Sequence, residues 1–166
     1  MDTEIVLPFE QKPKSRIKII VLTCLLAGTL DILSAIIDSS IRFKVTPIEL
    51  FQFIASGVFG PKAFSGGIPM AIAGLLFHYF IASCWTVFFF LIIPKFKISP
   101  KYKIPVGLLY GIFVWLIMNL IVVPLSNVQK VKFTWSHTIM GMLYLMFMIG
   151  LPVSVMFYRY YKINGY

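Results

Sequence analysis

Four long apolar runs, separated by short basic or turn-forming segments, constrain this sequence more than any other feature. Each run approaches or exceeds the ~18 to 20 residues that a helix needs to cross the hydrocarbon core of a bilayer. The runs lie at about 17–41, 67–93, 104–123 and 133–158. Backbone polar groups find no water in that core, so spanning segments of this kind are expected to be α-helices. The sequence therefore predicts an all-α, polytopic membrane protein. A single four-helix transmembrane domain is expected over 17–162, after a flexible cytoplasmic tail over 1–16.

The composition supports a membrane protein and argues against a nucleic-acid-binding one. Hydrophobic residues make up 59% of the chain and charged residues 13%, whereas soluble domains are nearer one half and one quarter. The net charge is +9, but the basic residues flank the apolar runs and do not form one soluble face. We therefore expect membrane lipids as partners, with anionic headgroups at the cytoplasmic loops, and no nucleic acid.

The distribution of Lys and Arg predicts the orientation of the bundle. With four spans, both termini and the 94–103 loop lie on one side of the membrane, and that side carries ten of the fifteen basic residues. The other side carries the remaining five, which are Arg42, Lys44, Lys62, Lys130 and Lys132. Since cytoplasmic loops are enriched in Lys and Arg, the N- and C-termini are predicted to be cytoplasmic.

The segment TPIELFQFIASGVFG, between the first two runs, predicts a short helix over about 47–57. Thr46 and Glu49 have the spacing of a capping box, and Pro47 occupies the first helical position. The helix is too short to span a bilayer. We expect it on the outer side, either in the interface or folded back over the mouth of the bundle.

Small and polar residues recur every three or four positions in each run, which places them on one face of a helix. Small residues let membrane helices approach closely, so these faces are expected to point into the bundle. From the first run to the fourth, the residues of these faces are Cys24, Gly28, Asp31, Ala35 and Asp38; Gly67, Ala71, Gly74, His78 and Ala82; Gly107, Gly111, Trp115 and Asn119; and His137, Gly141, Tyr144 and Met148.

Asp31 and His78 are predicted to meet inside the bundle. Asp31 lies eleven residues before Arg42, and His78 lies eleven residues after Gly67. At 1.5 Å per residue both are ~16 Å from the outer ends of their helices, which places them level in an antiparallel pair. A charged side chain at that depth costs about 2.5 to 3.5 kcal/mol on insertion scales. We predict that the two residues share a hydrogen bond, directly or through water.

A second polar layer is expected nearer the outside. Asp38, Asn119 and His137 lie within one to two turns of the outer ends of their helices, and Glu49 of the short helix could cover them. Together with the deeper pair they predict an outward-facing polar cavity that binds or conducts a small solute, a cation or a proton. The alternative is a non-catalytic scaffold or accessory subunit in which the buried pair is a structural clamp.

The individual members of this layer also have simpler interpretations. Asp38 is expected to be hydrated or paired with Arg42 four residues on. Asn119 is expected to hydrogen-bond between helices, and His137 to be solvated. No cofactor and no metal are predicted.

Catalytic and cofactor chemistry find little support in the sequence. The chain has no nucleophile elbow, no Walker loop and no HExxH pair, so an enzyme is disfavoured. Cys24 and Cys84 form no CxxC motif and are expected to pack as small apolar residues. A haem between the two histidines is disfavoured because their estimated depths differ by ~10 Å.

The motifs LAGTLDILSAI, IELFQFIASGVFGPKAFSGG, GLLFHYFIA and YGIFVWLIMNLIVVPLS together cover about 21–126. They resemble small bacterial inner-membrane proteins of unknown function, similar to the YagU-type group. The resemblance implies an integral inner-membrane protein without an established enzymatic activity, and it implies no substrate. Four spans are few for a transporter to alternate access alone, so a homodimer is a further expectation.

Overall fold

The computed structural model describes residues 16–128 and 134–163. Within these ranges 92% of the residues are helical and none forms a strand, which confirms the all-α class. The helices are α1 (Arg16–Phe43), α2 (Pro47–Phe59), α3 (Gly67–Ile92), α4 (Lys103–Ile117, continued by Met118–Val122 and Val123–Leu125) and α5 (Trp135–Tyr144, continued by Leu145–Gly150 and Leu151–Ile163). Short 3₁₀ turns at Gly60–Ser65, Ile93–Phe96 and Pro100–Tyr102 connect them.

Four of these helices, α1, α3, α4 and α5, are long and apolar enough to cross a membrane. Their outer surfaces carry large exposed apolar side chains, such as Leu76 at 65%, Phe80 at 67% and Leu120 at 66% exposure. Such a surface fits a lipid environment, because exposing so large an apolar area to water is energetically unfavourable. The fold is therefore that of an integral membrane protein with a four-helix bundle.

An aromatic cluster packs the half of the bundle that contains the start of α1. Phe89 and Phe90 of α3 are fully buried. The Phe157 ring of α5 lies edge-on to both, with centroid distances of 5.4 and 5.2 Å. Tyr110 of α4 contacts Phe89 at 4.7 Å, and its hydroxyl donates a hydrogen bond to the Trp85 carbonyl at 2.5 Å. This cluster fixes α3, α4 and α5 against one another.

Glycines bring the backbones of α4 and α5 into direct contact. A Cβ atom on Gly150 would lie 2.1 Å from the Gly107 carbonyl oxygen, and one on Gly111 would lie 2.3 Å from the Met146 Cα. A side chain at either position would force the helices apart. These contacts follow the principle that small residues allow membrane helices to approach closely.

Two π-helical turns interrupt the long helices, at Met118–Val122 and at Leu145–Gly150. Each ends two residues before a proline, Pro124 or Pro152. Proline lacks the backbone N–H and its ring clashes with the carbonyl four residues earlier. A widened turn relieves that clash without ending the helix.

The short helix α2 folds back along α3 and begins with the predicted capping box. The Thr46 hydroxyl accepts a hydrogen bond from the Glu49 amide, while the Glu49 carboxylate accepts one from the Thr46 amide. The α2 backbone comes so close to α3 that only glycine fits at Gly74. The Gln52 amide also donates to the Gly67 carbonyl at 3.1 Å. The location of α2 on the outer side of a membrane stays a prediction.

Candidate functional site

A cavity of about 630 Å³ lies between α1, α2, α4 and α5, and we call it the acidic cavity. Most of its wall is apolar. Its lining residues are Asp31, Ser34, Ala35, Asp38, Ser39, Phe43, Val45, Glu49, Leu50, Phe53, Phe64, Trp115, Asn119, Gly141, Tyr144 and Leu145. Among the described residues, the cavity lining includes four that the sequence assigned to a site: Asp31, Asp38, Glu49 and Asn119.

The acidic cavity collects the negative charge of the bundle. The chain has six acidic residues, and three of them lie within the first ten positions, outside the described residues. The other three are Asp31, Asp38 and Glu49, and all three line this cavity. Asp31 and Asp38 lie seven residues apart on α1, and Glu49 follows eleven residues after Asp38 in α2. The geometry of one helix therefore does not explain why all three line one cavity; the chain must also turn back so that α2 lies over α1.

Asp38 is held by two partners. Its Oδ1 atom lies 2.7 Å from the Arg42 Nε atom, four residues on in α1. The Tyr144 hydroxyl of α5 donates a second hydrogen bond to the same oxygen at 3.0 Å. The structure thus shows the pairing with Arg42 and adds a link between α1 and α5. Asp38 is consequently a compensated charge at the cavity wall.

Glu49 is exposed and is engaged by its own helix cap. Its Oε2 atom accepts hydrogen bonds from the Thr46 amide and the Thr46 hydroxyl, both at 2.8 Å. These two bonds hold the pKa of Glu49 below its ordinary value. The carboxylate therefore stays ionised at the rim of the cavity, but its donors are neutral groups and leave its negative charge in place.

Asp31 differs from the other two acids because its carboxylate has no hydrogen-bond partner among the described residues. It is half-buried and lines the acidic cavity. His78 of α3 is its titratable neighbour in the bundle. Asp31 is thus the carboxylate in the cavity that is most available to a ligand.

His78 bonds across the α1–α3 contact, but to the backbone. Its Nε2 atom lies 2.9 Å from the Gly28 carbonyl oxygen, three residues before Asp31 on the same face of α1. A carbonyl only accepts, so Nε2 carries the hydrogen in this arrangement. Residues 16–128 and 134–163 contain no direct hydrogen bond between His78 and Asp31, and a bond through water stays a prediction. His78 does not line the acidic cavity.

Asn119 and His137 are the two remaining predicted residues. Asn119 is exposed, and its side-chain amide donates to the Trp115 carbonyl of its own helix at 3.0 Å. The expected hydrogen bond between helices is therefore wrong; the bond lies instead beside the π-helical turn of α4, where such a local acceptor is within reach. His137 lies in the first turn of α5, and its side chain falls outside the described part of the structure.

Sequence reasoning missed the aromatic part of the site. Phe43, Phe53, Phe64 and Trp115 come from four different elements and meet only at the cavity wall. Aromatic residues are frequent in every apolar run, so nothing in the sequence distinguished these four. In the parts of the chain that the structure describes, no three His, Cys, Asp or Glu side chains gather in a way that could hold a metal ion.

The fold defines the class of this chain, over the residues that the structure describes, as an all-helical integral membrane protein. No protein-family model, no curated protein and no solved structure matches the chain.

Proposed function

We propose that this protein resides in the bacterial inner membrane and that its acidic cavity binds a small cationic solute. The observation that supports this most strongly is the gathering of Asp31, Asp38 and Glu49 around one cavity. The chain as a whole has a net charge of +9, so the three carboxylates at the cavity are opposite in sign to the net charge of the protein. A concave site lined by one sign of charge concentrates ions of the opposite sign.

The arrangement of partners points to Asp31 as the binding carboxylate. Asp38 is already neutralised by Arg42, and Glu49 lies at the rim within its helix cap. A carboxylate inside a transmembrane helix is costly unless it is paired, and a bound cation supplies the missing partner.

The apolar and aromatic wall favours an organic ammonium ion over a bare metal ion. Phe43, Phe53, Phe64 and Trp115 line the cavity, and aromatic faces attract ammonium groups through cation–π interactions. Bare ions such as Ca²⁺ or Mg²⁺ prefer a shell of several oxygen ligands. The volume of about 630 Å³ falls within the range of small-molecule sites, roughly 300 to 1,000 Å³.

The proposal includes an orientation and a wider context. The ten-to-five distribution of basic residues supports cytoplasmic termini, which would open the acidic cavity toward the outer side. The resemblance to the YagU-type group supports the inner membrane. A homodimer fits the proposal because four spans per chain are few for alternating access.

Calorimetry on the full-length protein in phosphatidylcholine nanodiscs tests the cation site, with choline, tetraethylammonium and Na⁺ as probes. Wild type should bind at least one of the two organic ions saturably. Asp31→Asn should weaken that binding about tenfold or more, because it removes a charged acceptor. Thr29→Val changes a polar residue of the same helix that does not line the cavity, and it should leave the affinity unchanged. If wild type binds neither organic ion saturably, the proposal is contradicted.

A non-catalytic membrane scaffold is the second candidate, and the bond from His78 to the Gly28 carbonyl favours it. That bond and the Tyr144–Asp38–Arg42 network both link helices, which is the behaviour of structural clamps. Under this alternative, Asp31→Asn and His78→Ala would only lower the melting temperature. His78→Gln is the matched variant for this clamp, because its amide can still donate to the Gly28 carbonyl. It should preserve the melting temperature that His78→Ala lowers.

A further inference from the structure

A second cavity, of about 570 Å³, lies at the opposite end of the bundle, and we call it the basic cavity. It is bounded by the start of α1, the connection between α3 and α4, and the end of α5. Its polar lining includes Arg16, Lys97, Ser99 and Tyr158. No acidic residue of the described ranges lies at this end, since Asp31, Asp38 and Glu49 all surround the acidic cavity.

Tyr158 supplies the observation that points to a ligand. Its side chain is 96% buried, with a relative exposure of only 4%, and its ring packs edge-on against Phe157 at 5.1 Å. Its hydroxyl is buried and has no hydrogen-bond partner among the described residues, and Tyr158 is one of the residues that line the basic cavity. Buried polar groups are nearly always satisfied, so an unpaired hydroxyl at a cavity wall indicates a missing partner.

The other polar residues of the cavity lining define the chemistry of the partner. The Arg16 guanidinium is held at the cavity by a hydrogen bond from Nη2 to the Phe90 carbonyl at 3.1 Å. A guanidinium has five N–H donors, so several remain for an anion. Lys97 adds a second cationic donor and Ser99 a neutral one. A group that accepts hydrogen bonds from all four side chains and carries negative charge fits this lining.

We propose that the basic cavity binds a phosphate group, with the Tyr158 hydroxyl donating to one of its oxygens and Arg16 and Lys97 balancing its charge. Arg and phosphate form short, charge-assisted hydrogen bonds. The cavity lies at the ends of spanning helices, where the headgroups of anionic lipids reside. The source of the phosphate is therefore either a phospholipid headgroup or a free phosphate ion. This site is independent of the cation site proposed above, because it uses different residues at the other end of the bundle.

Thermal unfolding of the full-length protein tests the phosphate site and separates the two sources. One arm adds inorganic phosphate at constant ionic strength to protein in phosphatidylcholine nanodiscs. The other replaces part of the phosphatidylcholine by phosphatidylglycerol. Saturable stabilisation in the first arm assigns a free ion, and stabilisation in the second arm alone assigns a lipid. Stabilisation in neither arm overturns the proposal.

Matched variants distinguish specific phosphate binding in the basic cavity from non-specific attraction to a basic surface. Tyr158→Phe removes only the hydroxyl and Lys97→Gln only one charge, and each should weaken phosphate affinity about tenfold. Tyr102→Phe and Lys101→Gln make the same changes in the neighbouring 3₁₀ turn, outside the cavity, and should have no effect. Equal losses in the two sets, or wild-type affinity in both Tyr158→Phe and Lys97→Gln, would overturn the proposal.

Tyr158→Phe also provides a readout without ligand. Because the hydroxyl is unpaired and buried, its removal should leave the melting temperature of the phosphate-free protein unchanged or higher. A clear decrease would mean that the hydroxyl already has a partner within the protein, and the basic cavity would then lack its defining feature.

Discussion

Gly150→Ala is the substitution for which the structure gives the sharpest expected magnitude. The new methyl group would lie 2.1 Å from the Gly107 carbonyl oxygen, 2.8 Å from the Gly111 nitrogen and 3.0 Å from the Gly111 Cα. All three obstacles are backbone atoms of α4, so no side-chain rotation can relieve the clash. Ordinary van der Waals contact begins near 3.4 Å. The helices α4 and α5 must therefore separate by about 1 Å at this point.

The expected cost follows from the loss of close packing. Overpacking in a well-packed interior costs about 1 to 3 kcal/mol, and more when the backbone must move. Alanine is favoured over glycine within a helix by about 1 kcal/mol, which offsets part of that cost. We expect Gly150→Ala to lower the free energy of unfolding by about 2 kcal/mol or more. Reversible unfolding in mixed micelles, followed by tryptophan fluorescence, measures this difference.

Gly57→Ala in α2 is the matched control. Its new methyl group would find only the Val128 Cγ2 atom at 3.5 Å and the Ser126 Cβ atom at 3.8 Å, which are ordinary contacts. The helix propensity of alanine should therefore make this variant as stable as wild type or slightly more so. If Gly150→Ala proves as stable as Gly57→Ala, then α4 and α5 do not meet at backbone distance and the packing described above is incorrect.

Three further predictions concern the core, the cavity wall and the helix cap. Phe89→Ala should destabilise the bundle by about 2 kcal/mol or more, because the cavity it leaves is costly in any solvent, whereas Phe80→Ala, at 67% exposure, should cost far less in the same unfolding assay. Tyr144→Phe removes the hydrogen bond to Asp38 and should cost about 1 kcal/mol by that assay; a stability equal to wild type would contradict this link. The pKa of Glu49 is lowered in the folded state, so its cap stabilises α2 above the ordinary glutamate pKa and is lost as the pH falls through the folded value. Amide exchange in α2, corrected for intrinsic rates, should therefore accelerate at acid pH in wild type but not in Glu49→Gln.

Much of the fold could be predicted from the sequence because the bilayer imposes strong rules. The lengths of the apolar runs determine the four spanning helices. Thr46, Pro47 and Glu49 predict the start of α2 through local hydrogen bonds alone. The recurrence of Gly107 and Gly111 predicts a helix contact, although it does not identify Gly150 as the partner on α5.

The details of the site depend on tertiary geometry that a single sequence does not contain. His78 bonds to the Gly28 carbonyl, and a backbone acceptor carries no signature in the side-chain pattern. The π-helical turn before Pro152 keeps α5 continuous, whereas a proline in a sequence equally predicts a kink or an end. The unpaired hydroxyl of Tyr158 becomes visible only after every nearby donor and acceptor has a position.

The central claim is that Asp31 borders a cavity that attracts cations. Ser34 lines the same cavity, so Ser34→Cys, in a background that lacks Cys24 and Cys84, reports on it directly. The measurement is the ratio of modification rates by a cationic and an anionic methanethiosulfonate reagent added outside intact spheroplasts. We expect the cationic reagent to be favoured about tenfold beyond its ratio with a free thiol, and Asp31→Asn to reduce that preference. An unreactive thiol, or a ratio equal to that of a free thiol with and without Asp31, would contradict the account.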